Sequence, residues 1–323
     1  MVKCYKVKTP GDIKSLKLTN QKLDDLKENE VRIKNHYVAV NHMDIHHRDG
    51  TYPLESYGRV IGIAGGGEII ANTEKTADLK LGTKVVYATN FLGSYSEEIN
   101  IDANHIVTID ENIGLEKASA VILPGLTSHY LVTRCYIPKK TDNIIINGAT
   151  GNVGHILCQL LSAYNINVIA LTSNKSKADL AKNLGCKYSF TYDTPNLKQE
   201  IIKITNNYGA NCVYDTIGAT AYQQNIDLLG FFGIIVNYGD CSGLINNMLP
   251  LKLLGKSLFF SKPFLSIYKY HKIDLIMSAK NIFDIIKEGK LSPKYEIIDF
   301  ANIPNAHEKI KNRGSIGSII AKL

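Results

Sequence analysis

The chain has 323 residues, a length that suits two domains better than one. Hydrophobic residues make up 45% and charged residues 21%, a balance that is typical of a folded protein and excludes a mainly disordered one. The formal net charge is +7, but the lysines are spread through every segment, so the charge predicts neither a nucleic-acid partner nor a membrane partner.

The cysteine spacing and the N-terminal sequence bear on the cellular compartment. The sequence MVKCYKVK enters an alternating strand pattern at once, and we see no signal peptide and no apolar run of about 18 residues. Free thiols in a reducing compartment are favoured over a disulfide framework or a zinc knuckle, because no CxxC pair occurs. We therefore expect a cytoplasmic protein. The six cysteines are Cys4, Cys135, Cys158, Cys186, Cys212 and Cys241.

The first part of the chain, to about residue 120, consists of short strand patterns separated by turns. Residues 31–40 are strand-like, and residues 59–70 form an apolar run in which Gly62 and the glycines at 65–67 are expected to be bends or bulges. A turn at Gly82 precedes a strand that extends to Tyr87. Fragments of this kind predict a compact barrel-like or folded-sheet domain.

The pattern changes near Leu115. The segment EKASAVILPGLTSHYLVTR (116–134) has helical stretches on both sides of Pro124-Gly125, and strands and helices then alternate, which is typical of a parallel sheet with crossover helices. The last segment is mixed again, and we expect it to complete the first domain. The predicted strands after residue 134 are 144–147, 167–172, 188–191, 212–215, 233–238, 297–300 and 318–322, and the predicted helices are 153–164, 175–183, 197–205, 221–229, 275–288 and 305–311.

A glycine-rich turn follows the first of these strands, in the stretch NGATGNVGHILCQ (147–159). Residues 149–154 fit the pattern G-x-G-x-x-G with Ala149 in place of the first glycine. Gly151 would let the backbone approach a pyrophosphate, and Gly154 would let the helix pack on the strand. Within the alternating series we predict a dinucleotide site, and a plain helix-starting turn is the alternative.

The end of the next strand bears on the choice of cofactor. After residue 171 the chain runs Thr172-Ser173-Asn174-Lys175-Ser176-Lys177, with two lysines and no acid. A carboxylate here would bind a ribose 2′-hydroxyl and repel a 2′-phosphate, whereas hydroxyl, amide and ammonium groups would bind the phosphate. NADPH is therefore predicted over NADH. The alternative is a solvated helix start with incidental lysines.

With these features in place, the chain resembles the zinc-free quinone oxidoreductase (ζ-crystallin-like) family of the medium-chain dehydrogenase/reductase superfamily nearly end to end. The resemblance implies an α/β fold with a Rossmann-type parallel sheet domain, 121–261, and a β-rich GroES-like catalytic domain formed by 1–120 and 262–323. The matching stretches are VNHMDIHHRDGTYP (40–53), GTKVVYA (82–88), GSYSEE (93–98), PGLTSHYLV (124–132), GATGNVG (148–154), VYDTIG (213–218), NYGDCSG (237–243) and SLFFSKPFLSIY (257–268).

The same resemblance predicts no metal site. Asn41 stands where related zinc alcohol dehydrogenases carry a catalytic cysteine, their Gly-His-Glu motif is missing from residues 57–62, and no four-cysteine lobe follows Ala88. Zinc needs three or four grouped ligands. His42, His46 and His47 are close in sequence, but we expect them to be polar loop or pocket residues.

The resemblance implies NADPH-dependent reduction of a quinone by hydride transfer without metal, since an electrophile that takes hydride directly needs no Lewis acid. Asn41, Tyr52 and Thr127 are the expected catalytic residues, and Tyr52 would bond the substrate carbonyl or assist protonation unless it merely caps the core. Ser173 and Lys177 are expected at the 2′-phosphate, Tyr192 beside the adenosine. The expected cofactor contacts are Asn41, Thr127, Gly151, Asn152, Val153, Gly154, Ser173, Lys177, Tyr192, Asn237, Tyr238, Gly239 and Arg313.

Departures from the family pattern leave the substrate open. His46 replaces a usual tyrosine, Pro124 a basic residue, Lys262 an arginine, and Asn152 interrupts a glycine pair. The alternatives are reduction of enones or 2-enoyl thioesters, and a non-catalytic NADPH- or RNA-binding protein. We also expect a homodimer, joined through an apolar edge strand at 257–260, and a structural role for Asp215 in bonding local backbone amides.

Overall fold

The computed structural model describes residues 1–89, 91–110 and 112–323. Contacts within these ranges divide the chain into two compact units. Unit 1 consists of Met1–Leu126, Ser266–Lys287 and Pro293–Leu323, and unit 2 consists of Thr127–Leu265 and Glu288–Ser292. The predicted α/β fold class is confirmed, while the functional domain limits 1–120, 121–261 and 262–323 stay a proposal. In the part of the chain described here, no helix has the length and hydropathy needed to span a membrane.

The elements are numbered in chain order. The strands are β1 (Val2–Val7), β2 (Leu16–Gln21), β3 (Glu30–Val40), β4 (Arg59–Val60), β5 (Ala64–Ala71), β6 (Lys84–Ala88), β7 (Glu98–Asp102), β8 (Ile106–Thr108), β9 (Asn143–Asn147), β10 (Asn167–Thr172), β11 (Tyr188–Thr191), β12 (Ala210–Asp215), β13 (Leu229–Asn237), β14 (Phe259–Ser261), β15 (Tyr295–Asp299) and β16 (Ser318–Lys322). The α-helices are α1 (His42–Asp49), α2 (Leu115–Tyr130), α3 (Gly154–Ala163), α4 (Lys175–Asn183), α5 (Leu197–Ile204), α6 (Tyr222–Leu228), α7 (Leu251–Leu254), α8 (Leu265–Tyr268), α9 (Lys272–Lys287) and α10 (Ile303–Lys311).

Unit 1 contains two sheets in its described residues. The larger has the order β15-β16-β3-β5-β6-β8, with β7 also paired to β3, and the smaller has the order β2-β1-β4. Strand β16 pairs antiparallel with β3, so the C-terminal segment completes this sheet as predicted. The two ends of β3 belong to different buried clusters, Val31 and Ile33 to one and Val38 and Val40 to the other.

The glycines at 65–67 lie inside β5, so they are not bends, but a bulge is present where they pair with β3. A Cβ at Gly67 would overlap the carbonyl of Lys34 in β3, so the missing side chain allows the two strands to approach. The register irregularity lies on the partner strand, between Asn35 and Tyr37. The bend predicted at Gly62 is present, with φ of +89° between β4 and β5.

Helix α2 corrects the expectation of two helical stretches around Pro124-Gly125. The structure has one continuous helix with Pro124 inside it, followed by a π-helical turn, Leu131–Cys135. Proline removes one backbone hydrogen bond. Tertiary packing outweighs that loss, because Val121, Ile122 and Leu126 beside it are buried.

Unit 2 is built on a parallel sheet whose residues are all described, in the order β11-β10-β9-β12-β13-β14. The predicted alternation of strands and helices is confirmed. After β9 the chain adds β10 and β11 on one side of that strand and then returns to its other side with β12. A topological switch point therefore lies at β9. In sheets of this kind ligands bind at the carboxyl ends of the strands beside that point. Strand β14 forms the expected edge, but it begins at Phe259, because Ser257 lies in a turn with φ of +52°.

Candidate functional site

The glycine turn joins β9 to α3 at the switch point. Gly148 has φ of +66°, and its carbonyl accepts a hydrogen bond from Gly151 N at 2.8 Å. A Cβ at Gly154 would overlap that same carbonyl, so close packing of α3 on the turn requires glycine, as predicted. The first amides of a helix have no partners inside it and bind phosphate. The turn therefore fits a dinucleotide pyrophosphate.

Tyr192 lies beside this turn. Its hydroxyl accepts a hydrogen bond from Gly148 N at 2.7 Å and donates one to the carbonyl of Leu171 at 3.2 Å. These bonds hold the ring at the junction of the glycine turn and the end of β10. The predicted contact of Tyr192 with the adenosine stays a prediction, but its position is at the correct edge of the sheet.

The junction between β10 and α4 contains the residues predicted to bind the 2′-phosphate. Asn174 caps α4, and its side chain accepts a hydrogen bond from Lys177 N at 3.0 Å. Ser173 is exposed and Lys177 is half-buried, and the first turn of α4 contains no acidic residue. Lys175 lies 3.4 Å from Asp179 in an exposed ion pair one turn further along. The segment from Ser173 to Lys177 thus contains a hydroxyl and an ammonium group and no acidic residue.

Asp215, at the end of β12, is a structural residue, which confirms its prediction. Its buried carboxylate accepts hydrogen bonds from the backbone nitrogens of Ile217 and Gly218, at 3.0 and 3.1 Å. It also accepts bonds at 2.9 Å from the side-chain amides of Asn147 and Asn237. The carboxylate therefore ties together the ends of β9, β12 and β13.

Lys262 extends this network to the loop after β13. Its ammonium group donates to Asn237 Oδ1 and to Asp240 Oδ2, both at 2.6 Å, and the Asp240 side chain is buried. Residues 237–239, which were predicted beside the nicotinamide, are therefore held by a lysine at the position where the resemblance expects an arginine. The sequence analysis did not predict this role of Lys262. The sign of it in the sequence is that Asn237, Asp240 and Lys262 each lie at or just after the end of a strand.

Thr127 lies on α2 with only 8% of its surface exposed. The next residue, Ser128, donates a hydrogen bond to the carbonyl of Val153 at 3.5 Å. This contact places the C-terminal part of α2 against the glycine turn, so Thr127 and residues 151–154 belong to one neighbourhood of unit 2.

In unit 1, Asn41 is the buried N-cap of α1. Its backbone nitrogen donates to Asp44 Oδ2 at 2.8 Å, and its side-chain nitrogen donates to the carbonyl of Ala39 at 3.3 Å. The reciprocal contact between Asn41 and Asp44 is a capping box.

Tyr52 belongs to a cluster of aromatic rings whose other members, His42, His46 and His47, lie on α1. The ring centroids of His46 and Tyr52 are 4.7 Å apart, those of His42 and His46 are 4.8 Å apart, and His47 lies 6.3 Å from Tyr52. Burial lowers the pKa of His47 to about 4, so that ring is neutral at physiological pH. A half-buried phenol among imidazoles is suited to bonding a carbonyl oxygen and moving a proton.

Arg313 is the last of the residues predicted to contact the cofactor. Arg313 is exposed in unit 1, in the turn between α10 and β16 with φ of +57°, and its cofactor contact stays a prediction.

Among residues 1–89, 91–110 and 112–323, no three His, Cys, Asp or Glu side chains are grouped closely enough to hold a metal. Asn41, at the N-terminus of α1, has a carboxamide where a zinc site would need a thiolate, imidazole or carboxylate.

Comparisons with known proteins match both parts of the chain. The model described as "Alcohol dehydrogenase GroES-like domain" matches residues 27–134, and the model described as "Zinc-binding dehydrogenase" matches residues 152–262. A probable quinone oxidoreductase of Schizosaccharomyces pombe is 30% identical over 97% of this chain and 95% of its own length. A 2-haloacrylate reductase of a Burkholderia species is 30% identical over 90% of each chain.

The solved structures agree. The crystal structure of Escherichia coli quinone oxidoreductase complexed with NADPH has a TM-score of 0.96 and 26% identity, and the match covers 99% of this chain and all of that one. A doubly wound sheet with a glycine turn, in a chain that also has a GroES-like part, defines a dehydrogenase or reductase of the medium-chain superfamily. Within it, the chain belongs to the quinone oxidoreductase family and is an oxidoreductase.

Proposed function

We propose that this oxidoreductase uses NADPH to reduce quinones by hydride transfer without a metal. The observation that carries the proposal is the junction of β10 and α4, where Ser173 and Lys177 follow the strand and the first helical turn has no acid. The solved E. coli relative, which is complexed with NADPH, supports the same cofactor.

The residues of unit 2 fit this cofactor. We assign the pyrophosphate to Gly151, Asn152, Val153 and Gly154, because the turn is built for backbone approach at the start of α3. Tyr192 would border the adenosine, where its hydroxyl already bridges the turn and β10.

The nicotinamide half would be held by the remaining predicted contacts. Lys262 and Asp215 hold the loop of Asn237, Tyr238 and Gly239, so these residues form a rigid surface for the ring. The further contacts in this proposal are Asn41, Thr127 and Arg313.

NADPH, when bound, supplies the hydride. A quinone that accepts one hydride also takes up one proton, so the protein must provide a proton donor and polar contacts for the carbonyl. We assign these roles to Tyr52, whose ring packs against that of His46 with the centroids 4.7 Å apart. Asn41 orients the acceptor or the nicotinamide through its carboxamide, which needs no metal beside it.

Reduction of an activated alkene is the second candidate. The Burkholderia relative is a 2-haloacrylate reductase that is as similar to this chain as the S. pombe relative. A phenol near the hydride acceptor serves an enone as well as a quinone, since both need a proton after hydride addition. The non-catalytic alternative is not retained, because the relatives similar to this chain over nine tenths of its length are quinone oxidoreductases and a 2-haloacrylate reductase.

Assembly and compartment complete the proposal. Strand β14 is an edge strand, its Phe259 is 58% exposed, and Phe231 and Phe232 of the neighbouring strand β13 are 61% and 70% exposed. An apolar edge of this kind is suited to pairing with a second copy, so we propose a homodimer joined there. The six cysteines are all free, which supports a reducing compartment such as the cytoplasm.

The test is a screen of NADPH oxidation, followed at 340 nm, against a quinone, a cyclic enone, a 2-haloacrylate and a 2-enoyl thioester. We expect the highest kcat/KM with the quinone, and much lower rates when NADH replaces NADPH. Preference for the haloacrylate or the enone would transfer the assignment to alkene reduction. Absence of NADPH oxidation with all four acceptors would overturn the proposed function.

A further inference from the structure

A run of buried polar side chains leads from Asn41 into unit 1. Asp44 Oδ2 accepts a hydrogen bond from the Tyr95 hydroxyl at 2.8 Å, and that hydroxyl lies 3.1 Å from His307 Nε2. His307 Nδ1 lies 3.4 Å from Arg48 Nη1. Asp44, Tyr95, His307 and Arg48 each have 0% of their surface exposed, and aspartate and arginine are rarely buried so completely unless they are paired.

The chemistry of arginine sets the direction of every bond in this run. A guanidinium only donates hydrogen bonds, so His307 accepts at Nδ1 and carries its proton on Nε2. His307 then donates to the Tyr95 oxygen, and the Tyr95 O–H donates to Asp44. Burial lowers the pKa of His307 to about 3, with the charge of Arg48 adding to the effect, so the neutral ring persists at physiological pH.

The run ends on the group that holds Asn41. Asp44 Oδ2 accepts from the backbone nitrogen of Asn41 at 2.8 Å and lies 3.5 Å from its side-chain nitrogen. Asp44 Oδ1 has no hydrogen-bond partner in the described part of the chain, so a proton taken up by this carboxyl would sit there. Protonation would make Oδ2 a weaker acceptor and loosen the capping box.

Burial raises the pKa of Asp44 to about 7, and its bonds with Asn41 and Tyr95 oppose the rise. The other charged or titratable groups around the run are Arg48 and His42 on α1, and His307 and Glu308 on α10. Glu308 lies 4.0 Å from Arg48 and is 44% exposed, so the run reaches the surface of unit 1 there. Protonation of Asp44 therefore already falls within the working pH range, and loss of one donor to the carboxylate would extend the protonated form to higher pH.

We propose that Tyr95, His307 and Arg48 are positioning residues that keep Asp44 an ionised acceptor and so fix the orientation of the Asn41 carboxamide for hydride transfer. This inference rests on the proposed function, because it gives Asn41 a role at the nicotinamide or the acceptor. It adds a dependence on pH that comes from a group which touches neither substrate nor cofactor.

The variant that tests the inference is Tyr95→Phe. The control is Tyr87→Phe, because Tyr87 is equally buried in unit 1 and donates a bond of 2.7 Å to Asn35 rather than to Asp44. The Asp44 carboxyl would be titrated by 13C NMR, with its signal assigned by loss in Asp44→Asn. We expect Tyr95→Phe to raise that pKa by about half a unit to one unit, and Tyr87→Phe to leave it unchanged.

The acid limb of the kcat profile for NADPH-dependent quinone reduction should move by the same amount in Tyr95→Phe and stay in place in Tyr87→Phe.

A second pair of variants changes His307. Glutamine can accept from Arg48 and donate to Tyr95, so His307→Gln should keep the wild-type limb, whereas His307→Leu should shift it.

A raised Asp44 pKa with an unmoved acid limb would overturn the inference and leave the proposed function standing. An equal shift of the limb in Tyr87→Phe would also overturn it, since general loosening would then be the cause. Wild-type protein that oxidises no NADPH with any acceptor would overturn the proposed function, and the inference with it.

Discussion

The hydroxyl of Tyr192 lies 2.7 Å from the backbone nitrogen of Gly148 and accepts its hydrogen bond. One residue thereby connects the end of β11 to the glycine turn, while its second bond reaches Leu171 at the end of β10. The predicted adenosine contact and the shape of the pyrophosphate turn consequently depend on the same side chain.

Tyr192→Phe should weaken NADPH binding by about 3- to 10-fold, because the turn loses a hydrogen bond worth about 1 kcal/mol. Fluorescence titration with NADPH measures the change. Tyr208→Phe is the control, since its hydroxyl donates to the carbonyl of Phe231 at 2.8 Å, far along the chain from the glycine turn. Equal loss of affinity in both variants would contradict a specific role for Tyr192.

Lys262→Met should lower kcat and destabilise the protein by about 1–2 kcal/mol, because buried Asp240 loses its ammonium partner while Lys262 itself is partly exposed. Lys256→Met is the matched control. Its ammonium donates to three carbonyls at the end of α6, those of Ile226, Asp227 and Leu229, so stability should fall there without a change in kcat. Steady-state kinetics and urea unfolding of both variants decide between them.

Tyr52→Phe should lower kcat for quinone reduction by about 10- to 100-fold, since the phenol is the assigned proton donor, and should leave the Kd for NADPH unchanged. Tyr57→Phe, a half-buried tyrosine that packs on the core of unit 1, is the control and should retain the wild-type kcat. If Tyr52→Phe keeps full activity with both quinone and enone, Tyr52 is a packing residue.

The buried residue Lys269 should make the free energy of unfolding depend on pH. Its side chain is 4% exposed, its nitrogen has no hydrogen-bond partner among the described residues, and burial lowers its pKa to about 7. Between pH 7 and the ordinary lysine value the unfolded chain binds more protons, so this group makes the free energy of unfolding rise with pH across that window. Below pH 7 the loss of stability caused by burying Lys269 is at its largest and no longer changes with pH.

Lys269→Met should therefore stabilise the protein, and the gain should be about 2–3 kcal/mol larger at pH 7 than at pH 9.5. Urea unfolding at the two pH values measures the difference. The control is Lys272→Met, which removes an exposed lysine at the start of α9. A gain that does not change with pH would show that Lys269 remains charged in the folded protein.

Much of the fold follows from local patterns in the sequence. The bounds of β10, α4 and β11 agree with their predictions residue for residue, because an apolar strand, a capping residue and a helical period are each contained in a few neighbouring residues. Gly154 was identified for the same reason, since its role depends on a carbonyl only six positions away.

The remaining features depend on residues that are distant in the sequence. The Tyr95 hydroxyl meets Asp44 across 51 positions and His307 across 212, and no periodicity links them. Pro124 was misinterpreted because its local signal breaks a helix, while the packing that overrides the signal comes from residues elsewhere in the chain. The role of Lys262 depends on Asn237 and Asp240, which only the folded loop brings together.

Lys177→Ala is the variant that tests the preference of the protein for NADPH over NADH. The variant loses a charge-assisted contact worth roughly 1.5–3 kcal/mol, so the Kd for NADPH should rise about 10- to 150-fold while that for NADH barely changes. Ser173→Asp should go further and repel the 2′-phosphate. Lys175→Ala is the control, because Lys175 pairs with Asp179 on the exposed face of α4. The measurement is a fluorescence titration of both cofactors against the wild type and the three variants. Equal wild-type affinity for NADH and NADPH, or an equal loss of both in Lys177→Ala, would contradict a 2′-phosphate site at the junction of β10 and α4.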